Sequence, residues 1–443
     1  MYDVVIIGGG PAGLGTAYAL ENSGLDVALC EESSRLAGRA HSVSVAGEQV
    51  NTGAMFIYRD TPSHALAQEL GLELLPFTPG SFGIHVDGTT VVSRKNSDLV
   101  ARLPLGGNAK QALLEYMLQA EAEYFANTAQ GQLSEVSKEL AELPAEAQLV
   151  GLPTDAAHII RAAIHGGSVA SSEQLSAQYA LRYFASYVAH EKRNRMVARG
   201  GIQALPDAIV SRLDSTEVLL NTAVRRVVSR GGTWQVHTQR DGESSILQAR
   251  HVVMAVPAPR IEELTVLPEW KTRALGKVAT PGSTTLGIVV DLPDEPPLQD
   301  SETDVTSHYD EWAFVATPGR KFDAIINPRP GRGDGTAQFT CYGNSVGYLP
   351  AGADNDPQLT EAWLQDFYAV APGLKGRVKG TYMQSWAHCF SLLTPDRLRA
   401  IEELRAPVDG TLHFAGDYCS DTAGTHGAFA EAGRVARQIR ALS

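Results

Sequence analysis

Basic charge is in short supply. Thirty-seven Lys and Arg stand against 50 Asp and Glu, a formal net charge of -13. Nucleic-acid binding needs basic faces that displace phosphate counterions, so that class is excluded. The acidic balance keeps a surface soluble and helps attract cations only as a secondary effect. Cysteine is scarce too. Cys30, Cys341, Cys389 and Cys419 lie far apart, with no CxxC and no metal-ligand spacing, so no metal site is expected. No run of 18 apolar residues occurs, so no membrane span and no membrane partner are expected. The first strand begins at residue 2, so no signal peptide is expected, and the chain is expected to be cytoplasmic.

What is present is an ordinary globular composition. Apolar residues make up 44 % of 443 residues, enough for two or three domains around large cores. The stretch that organises the rest is Tyr2 to Arg39. An apolar, β-branched run to Ile7 predicts a buried parallel strand. The pattern Gly8-x-Gly10-Pro11-Ala12-Gly13 follows at once, then helix formers from Leu14 to Ser23, Gly24 as terminator, and a second apolar run from Val27 to Glu31. Together these predict one βαβ unit that binds a dinucleotide. Gly8 makes the tight turn, Gly10 lets a pyrophosphate approach the backbone, and Gly13 lets the helix pack close to the sheet. The helix start supplies free N–H groups and a positive dipole end. Glu31, 18 residues after Gly13, is placed to accept from a ribose.

The next residues, Glu31-Glu32-Ser33-Ser34-Arg35-Leu36-Ala37-Gly38-Arg39, resemble the second fingerprint of the flavin-containing amine oxidase and phytoene desaturase superfamily. The match is Glu31, Arg35, Gly38 and Arg39, with Ala37 where the family has its first glycine. The resemblance implies FAD, held non-covalently, in an α/β fold. It implies a Rossmann-like FAD-binding domain of three layers (ββα) with an inserted α+β substrate domain of helices and antiparallel sheet. The FAD domain would be discontinuous, residues 1–80, 195–282 and 380–443; the substrate domain would take 81–194 and 283–379. Arg39 is suited to a diphosphate because its fork donates several hydrogen bonds to one anion.

The resemblance extends to further segments. Gly53, Ala54 and Met55 correspond to the stretch that runs past the flavin ring, where small residues let backbone meet a flat surface. Val224 matches the residue whose backbone holds the adenine, with the Ala255–Pro257 turn nearby. Trp386 matches a tryptophan packed near the flavin, and Phe390 stands where a cage tyrosine occurs in relatives. Cys389 lies near the position that in some members links covalently to the flavin. Phe414-Ala415-Gly416-Asp417 matches a segment whose acid contacts the ribityl or diphosphate part. Thr425 and His426 then sit beside the ring at the start of the closing helix. The strand at 283–291 departs from the family: a lysine found there in many amine oxidases is replaced by Leu286 or Thr285.

Other expectations come from pattern alone. Residues 61–75 predict a helix and a short strand, and 81–94 a hairpin around Asp87-Gly88. Residues 110–148 and 174–191 read as helical. Tyr179, Tyr183 and Tyr187 share one face of the second segment, a core stripe or a pocket roof, with Tyr183 the pocket candidate. A β-meander is expected over 218–254, antiparallel strands over 310–347 with Tyr342 and Asn344 facing a cavity or packing, and a helix at 357–370. The resemblance makes Trp386, Phe390 and His426 candidate catalytic residues, and the helical stripe adds Tyr183. The resemblance implies hydride transfer from a C–H next to the nitrogen of a small amine or amide, with molecular oxygen as acceptor; a homodimer is compatible. The rival readings are a C–C desaturase or isomerase of carotenoid or porphyrinogen type, which the missing lysine favours, and a flavin-bound protein without catalysis.

Overall fold

The computed structural model describes residues 1–77, 80–128, 135–189, 195–294, 298, 302–343 and 354–442. The opening strand β1 (Tyr2–Ile7) has Val4 to Ile6 fully buried because it is central in its sheet. It pairs in parallel with β2 (Val27–Cys30) on one side and with the Glu243–Met254 strand on the other. Strands covered on both faces need continuous apolar runs, which is the pattern here. Between β1 and β2 the chain forms α1 (Pro11–Leu20). Its start falls three residues earlier than the pattern of helix formers suggests, because Pro11 is preorganised for a first helical turn.

The Leu412–Phe414 strand also joins Glu243–Met254 in parallel, so the last strand of the chain lies one strand away from the first. The Gly424–Leu442 helix then packs on α1. A Cβ added to Gly15 would lie 2.8 Å from a Phe429 ring carbon and 2.9 Å from the Ala432 Cβ.

The segment expected as one strand over 218–227 is two. Asn221 sits in the left-handed region (φ 52) and turns the chain. Glu217–Leu219 goes to the sheet edge beside β2, while Ala223–Arg230 enters an antiparallel meander with Thr233–Arg240 and Glu243–Met254.

A second sheet runs in the order Val378–Trp386, Ser283–Asp291, Thr336–Gly343, Ala324–Ile326, Phe314–Ala316, Phe82–Val86, Thr89–Ser93. The expected hairpin turns at Asp87-Gly88, both at positive φ (50 and 73). Apolar residues on one face of this sheet, Phe82, Phe314 and Ile326 among them, pack with the Gly107–Thr128, Thr154–Ser168 and Ala177–Val188 helices. The opposite face buries Phe339 and Ile325 under Trp363 and Phe367 of the Pro357–Val370 helix. The Thr154–Ser168 helix was not among the sequence expectations. Asn344 lies outside the described residues.

Pleating sends Thr285 and Leu286, the two residues named in place of a lysine, to opposite faces. Along Ser283–Asp291 the side chains alternate faces. Leu286 points into the core under Pro357–Val370, whereas the Thr285 hydroxyl donates to the Thr52 carbonyl at 3.0 Å. Thr285 therefore faces the segment that leads to Gly53.

Candidate active site

One cavity of about 430 Å³ draws its wall from residue 7 to residue 428. Its first part is the glycine turn. Gly8 has φ +105, and a Cβ there would lie 2.7 Å from the Ala255 carbonyl oxygen, so a side chain is excluded twice. A Cβ on Gly10 would meet nothing within 4 Å and would enter open space on the cavity wall. Gly13 is not on the wall. A Cβ there would lie 1.9 Å from the Gly8 carbonyl oxygen, so its role is helix-to-turn packing. The turn is held by Glu31, whose Oε2 accepts from the Gly9 N–H at 2.7 Å and whose Oε1 accepts from the Ser33 N–H at 2.9 Å. The second loop locks on through the Ala37 N–H, which donates to the Gly9 carbonyl at 2.9 Å. Ala37 itself lies at φ 80 and is fully buried, a backbone conformation better suited to the glycine of the family pattern.

The two chain ends meet at Arg39. Its guanidinium donates to the Cys389 carbonyl at 2.9 Å and to the His388 carbonyl at 3.2 Å, and lies 3.5 Å from Asp417 Oδ1. Asp417 is almost wholly buried. It accepts from the Ser391 N–H at 2.9 Å and from its hydroxyl at 3.1 Å. Beneath it the fully buried Arg397 donates to five carbonyls, those of Ser391, Leu392, Asp417, Tyr418 and Ser420. Burial holds the Arg397 pKa below its ordinary value. These bonds tie the Cys389–Leu392 loop to the Gly416–Ser420 turn. Trp386 is fixed from the other side, its indole N–H donating to the Thr52 carbonyl at 2.6 Å.

Beyond these anchors the cavity becomes aromatic. Tyr58, Tyr179, Tyr183, Tyr187, Tyr342 and Phe390 are on its wall. Ser176 caps the Ala177–Val188 helix by accepting from the Tyr179 N–H, which starts the stripe facing inward. Tyr183 lies 5.2 Å from Tyr179, and the Tyr342 hydroxyl donates to the Gly53 carbonyl at 3.2 Å. The Arg195 guanidinium lies behind this wall, 4.1 Å over the Tyr187 ring. Burial pushes the Tyr187 phenol up to about 12 and the Tyr183 phenol well above its ordinary value, so both stay neutral at pH 7. His426 packs 4.9 Å from Tyr58, and burial, reinforced by the Arg182 charge, lowers its pKa to about 3. Burial also raises the Cys389 thiol to about 11, so it is not a thiolate at neutral pH.

The expected cofactor residues Gly8, Gly10, Pro11, Ala12, Glu31, Glu32, Gly38, Arg39, Gly53, Ala54, Met55, Val224, Ala255, Trp386, Gly416, Asp417, Thr425 and His426 all lie on this one wall, as do Tyr183 and Phe390. Sequence reasoning missed Gly166 to Val169, at the end of the Thr154–Ser168 helix. A Cβ on Gly167 would lie 2.9 Å from the Tyr183 ring. The pair Gly166-Gly167 late in an amphipathic segment was the available signal. Arg397 was missed as well, and no local pattern marks it. Among the described residues no cluster of His, Cys, Asp or Glu has metal-binding geometry, and no helix is long and apolar enough to cross a membrane.

The cradle fits a flavin dinucleotide. Gly10 leaves room for a pyrophosphate, Glu31 stands at the end of the second strand, and an arginine waits between the chain ends. A dinucleotide cleft continuous with an aromatic-lined cavity defines the class of a cofactor-dependent oxidoreductase. The family model for flavin containing amine oxidoreductases matches residues 11–440, and the chain belongs to that family. It is thus a flavin-dependent oxidoreductase of the amine oxidase type. Over 99 % of its length, and 98 % of the other's, it is 24 % identical to a Dictyostelium discoideum protein named probable flavin-containing monoamine oxidase A. It is 27 % identical to putrescine oxidase of Kocuria rosea over 58 % of this chain and 56 % of that one. Among solved structures, wild-type putrescine oxidase bound to putrescine superposes with a TM-score of 0.74 at 18 % identity, covering 99 % of each chain. Cyclohexylamine oxidase from Brevibacterium oxydans gives 0.73 at 18 % identity, covering 100 % of this chain and 98 % of that one. At such identities these structures share the fold.

Proposed function

We propose that the chain binds FAD non-covalently between its two ends and oxidises a small neutral amine, or an amide, at the C–H next to nitrogen, with molecular oxygen as acceptor. The observation that carries this is the single wall shared by Gly8, Gly10, Pro11 and Ala12, by Arg39, Asp417 and His426, and by the Tyr179–Tyr183–Tyr187 stripe. We assign the first sheet and its helices to the FAD-binding unit. The second sheet, with the helices between Gly107 and Val188, forms the substrate unit, a Rossmann-like core with an inserted domain. The last boundary then falls after Trp386, because Val378–Trp386 pairs with Ser283–Asp291 in the second sheet.

The division of labour follows from the residues. The N–H groups of the first turn of α1 and the Arg39 guanidinium hold the diphosphate, Glu31 accepts from the adenosine ribose, and Val224 meets the adenine through its backbone. The flavin, when bound, supplies the hydride acceptor. Trp386, Phe390 and Tyr183 position the substrate carbon and exclude water. His426 at the start of the closing helix is held neutral, so the helix dipole is the favourable field at that end. The wall's carboxylates are Glu31, Glu32 and Asp417, and Asp417 is held by Ser391 and Arg39, so a protonated amine is offered no free carboxylate by it. The substrate therefore reacts as the free base.

Purified protein is expected to be yellow. Anaerobic addition of an amine should bleach it, and admission of air should return the colour with hydrogen peroxide. Colourless protein that takes up no FAD would sink the proposal. Acid precipitation should release all the flavin to the supernatant. Flavin retained in the pellet of the native protein, and lost from the pellet in Cys389→Ala, would show that the attachment is covalent. The family match does not favour the C–C desaturase reading; a polyene that bleaches the flavin where amines do not would restore it.

A further inference from the structure

The Thr154–Ser168 helix ends in Gly166-Gly167-Ser168, and its two glycines have different neighbours. A Cβ on Gly166 would lie 2.3 Å from the Ala324 Cβ, so this glycine seats the helix on the second sheet. A Cβ on Gly167 would instead meet the tyrosine stripe, 2.9 Å from one Tyr183 ring carbon and 3.4 Å from a Tyr187 ring carbon. The space left by the missing side chain is taken by the Tyr183 ring. Gly167, Tyr183 and Tyr187 all stand on the wall of the main cavity. The helix stops at Val169, a buried residue at φ 48. A β-branched residue rarely adopts that conformation, and it persists only where the surrounding packing dictates it. The end of this helix therefore has a fixed place at the wall.

Of the two rings beside Gly167, one has room to move. Tyr187 is clamped, with the Phe314 ring 4.0 Å away and the Arg195 guanidinium 4.1 Å over its face. Tyr183 is half-buried, with Tyr179 at 5.2 Å beside it and the cavity before it. A methyl group at position 167 would overlap the Tyr183 ring, because carbon atoms settle at about 3.5 Å or more and the gap is 2.9 Å. The ring yields toward the cavity. We propose that Gly167 is a positioning residue that sets the substrate class: by holding the Tyr183 ring back, it leaves width for an amine with a cyclic or branched body. The inference rests on the amine-oxidation reading and adds the shape of the amine. Differences of this size matter, since one methylene more or less in an apolar pocket changes discrimination by roughly 10- to 200-fold.

The test is peroxide formation by the flavin-loaded protein with cyclohexylamine and n-hexylamine, which have equal carbon counts and different widths. The wild type should oxidise both. Gly167→Ala should lose at least about tenfold in kcat/KM for cyclohexylamine, chiefly through KM, and change little with n-hexylamine. Tyr183→Leu removes the ring and should move the ratio of the two toward cyclohexylamine. The double variant Gly167→Ala with Tyr183→Leu should recover at least the wild-type ratio, which a purely structural role of Gly167 would not allow. All variants should keep the wild-type flavin spectrum. Equal losses for both amines in Gly167→Ala overturn the proposal, as does a double variant that recovers nothing. A wild type that takes n-hexylamine and refuses cyclohexylamine overturns it too. Should Gly167→Ala not fold, an unchanged ratio in Tyr183→Leu is the refuting result. Wild-type flavin that no amine bleaches sinks the amine reading itself, and this inference with it.

Discussion

Gly10 and Gly13 stand three residues apart in one motif, yet the geometry predicts opposite failures when each becomes alanine. At Gly10 the backbone is extended (φ -79, ψ -175), which any residue adopts, and the new Cβ meets nothing within 4 Å. Gly10→Ala should leave the stability of the flavin-free protein within about 0.5 kcal/mol of the wild type. Its methyl enters the space a pyrophosphate needs and displaces the ligand from the N–H groups of α1. Each hydrogen bond to a charged group is worth about 1.5–3 kcal/mol, so losing one weakens FAD by roughly 10- to 100-fold. At Gly13 the new Cβ would lie 1.9 Å from the Gly8 carbonyl oxygen, an overlap of more than 1 Å with backbone that no rotamer relieves. The cost is at least ~1–3 kcal/mol of folding free energy. Denaturant melts of the flavin-free proteins and flavin titrations by fluorescence quenching read the two quantities separately. Wild-type FAD affinity in Gly10→Ala, or an unchanged melt in Gly13→Ala, would refute the reasoning.

Three further outcomes are expected. Ala37→Gly relieves a buried alanine at φ 80. The left-handed penalty of ~1–2 kcal/mol outweighs the added flexibility of the unfolded chain, so the denaturation midpoint should rise by ~0.5–1 kcal/mol in stability; a lower midpoint would contradict this. Arg397→Met strands five carbonyls and should cost about 3–5 kcal/mol, with weakened FAD binding because Asp417 and the Cys389 loop lose their common anchor; a melt within 1 kcal/mol of wild type would contradict this. Acid should destabilise the fold well before the carboxylates titrate. His85, His165 and His413 are held down to about 4, and His426 to about 3, chiefly by burial. Their unfolded counterparts take up protons near pH 6.5, so the unfolded state binds more protons between about 6.5 and 4, and stability falls as pH drops through that window. Urea midpoints at pH 7.5 and 5.0 check the sign, and an equal or higher midpoint at pH 5.0 would reverse it.

Much of the cradle was legible in the linear chain because its logic is local. A glycine at a turn, a proline at a first helical position and a β-branched run declare themselves within a few residues. So Gly8, Gly10 and Glu31 could be named before any fold was known, and Arg39 and Phe414 to Asp417 by resemblance. The Tyr179, Tyr183 and Tyr187 stripe was visible as a helical face, though not which side it would meet. Whether it forms core or pocket depends on the sheet it packs against, and it serves as both.

What the order of amino acids determined by itself is the identity of the parts: which stretches become strands, which turn is empty of side chains, which ends carry the anchoring charges. Only the folded chain decided their meeting. Arg39 reaches Asp417 across 378 positions, Arg397 gathers five carbonyls from two loops, and a half-turn of pleat aims Thr285 at Thr52 while burying Leu286 on the other side. Contacts of that span depend on packing and register, which are set by the whole core, and periodicity along a single segment carries no record of them.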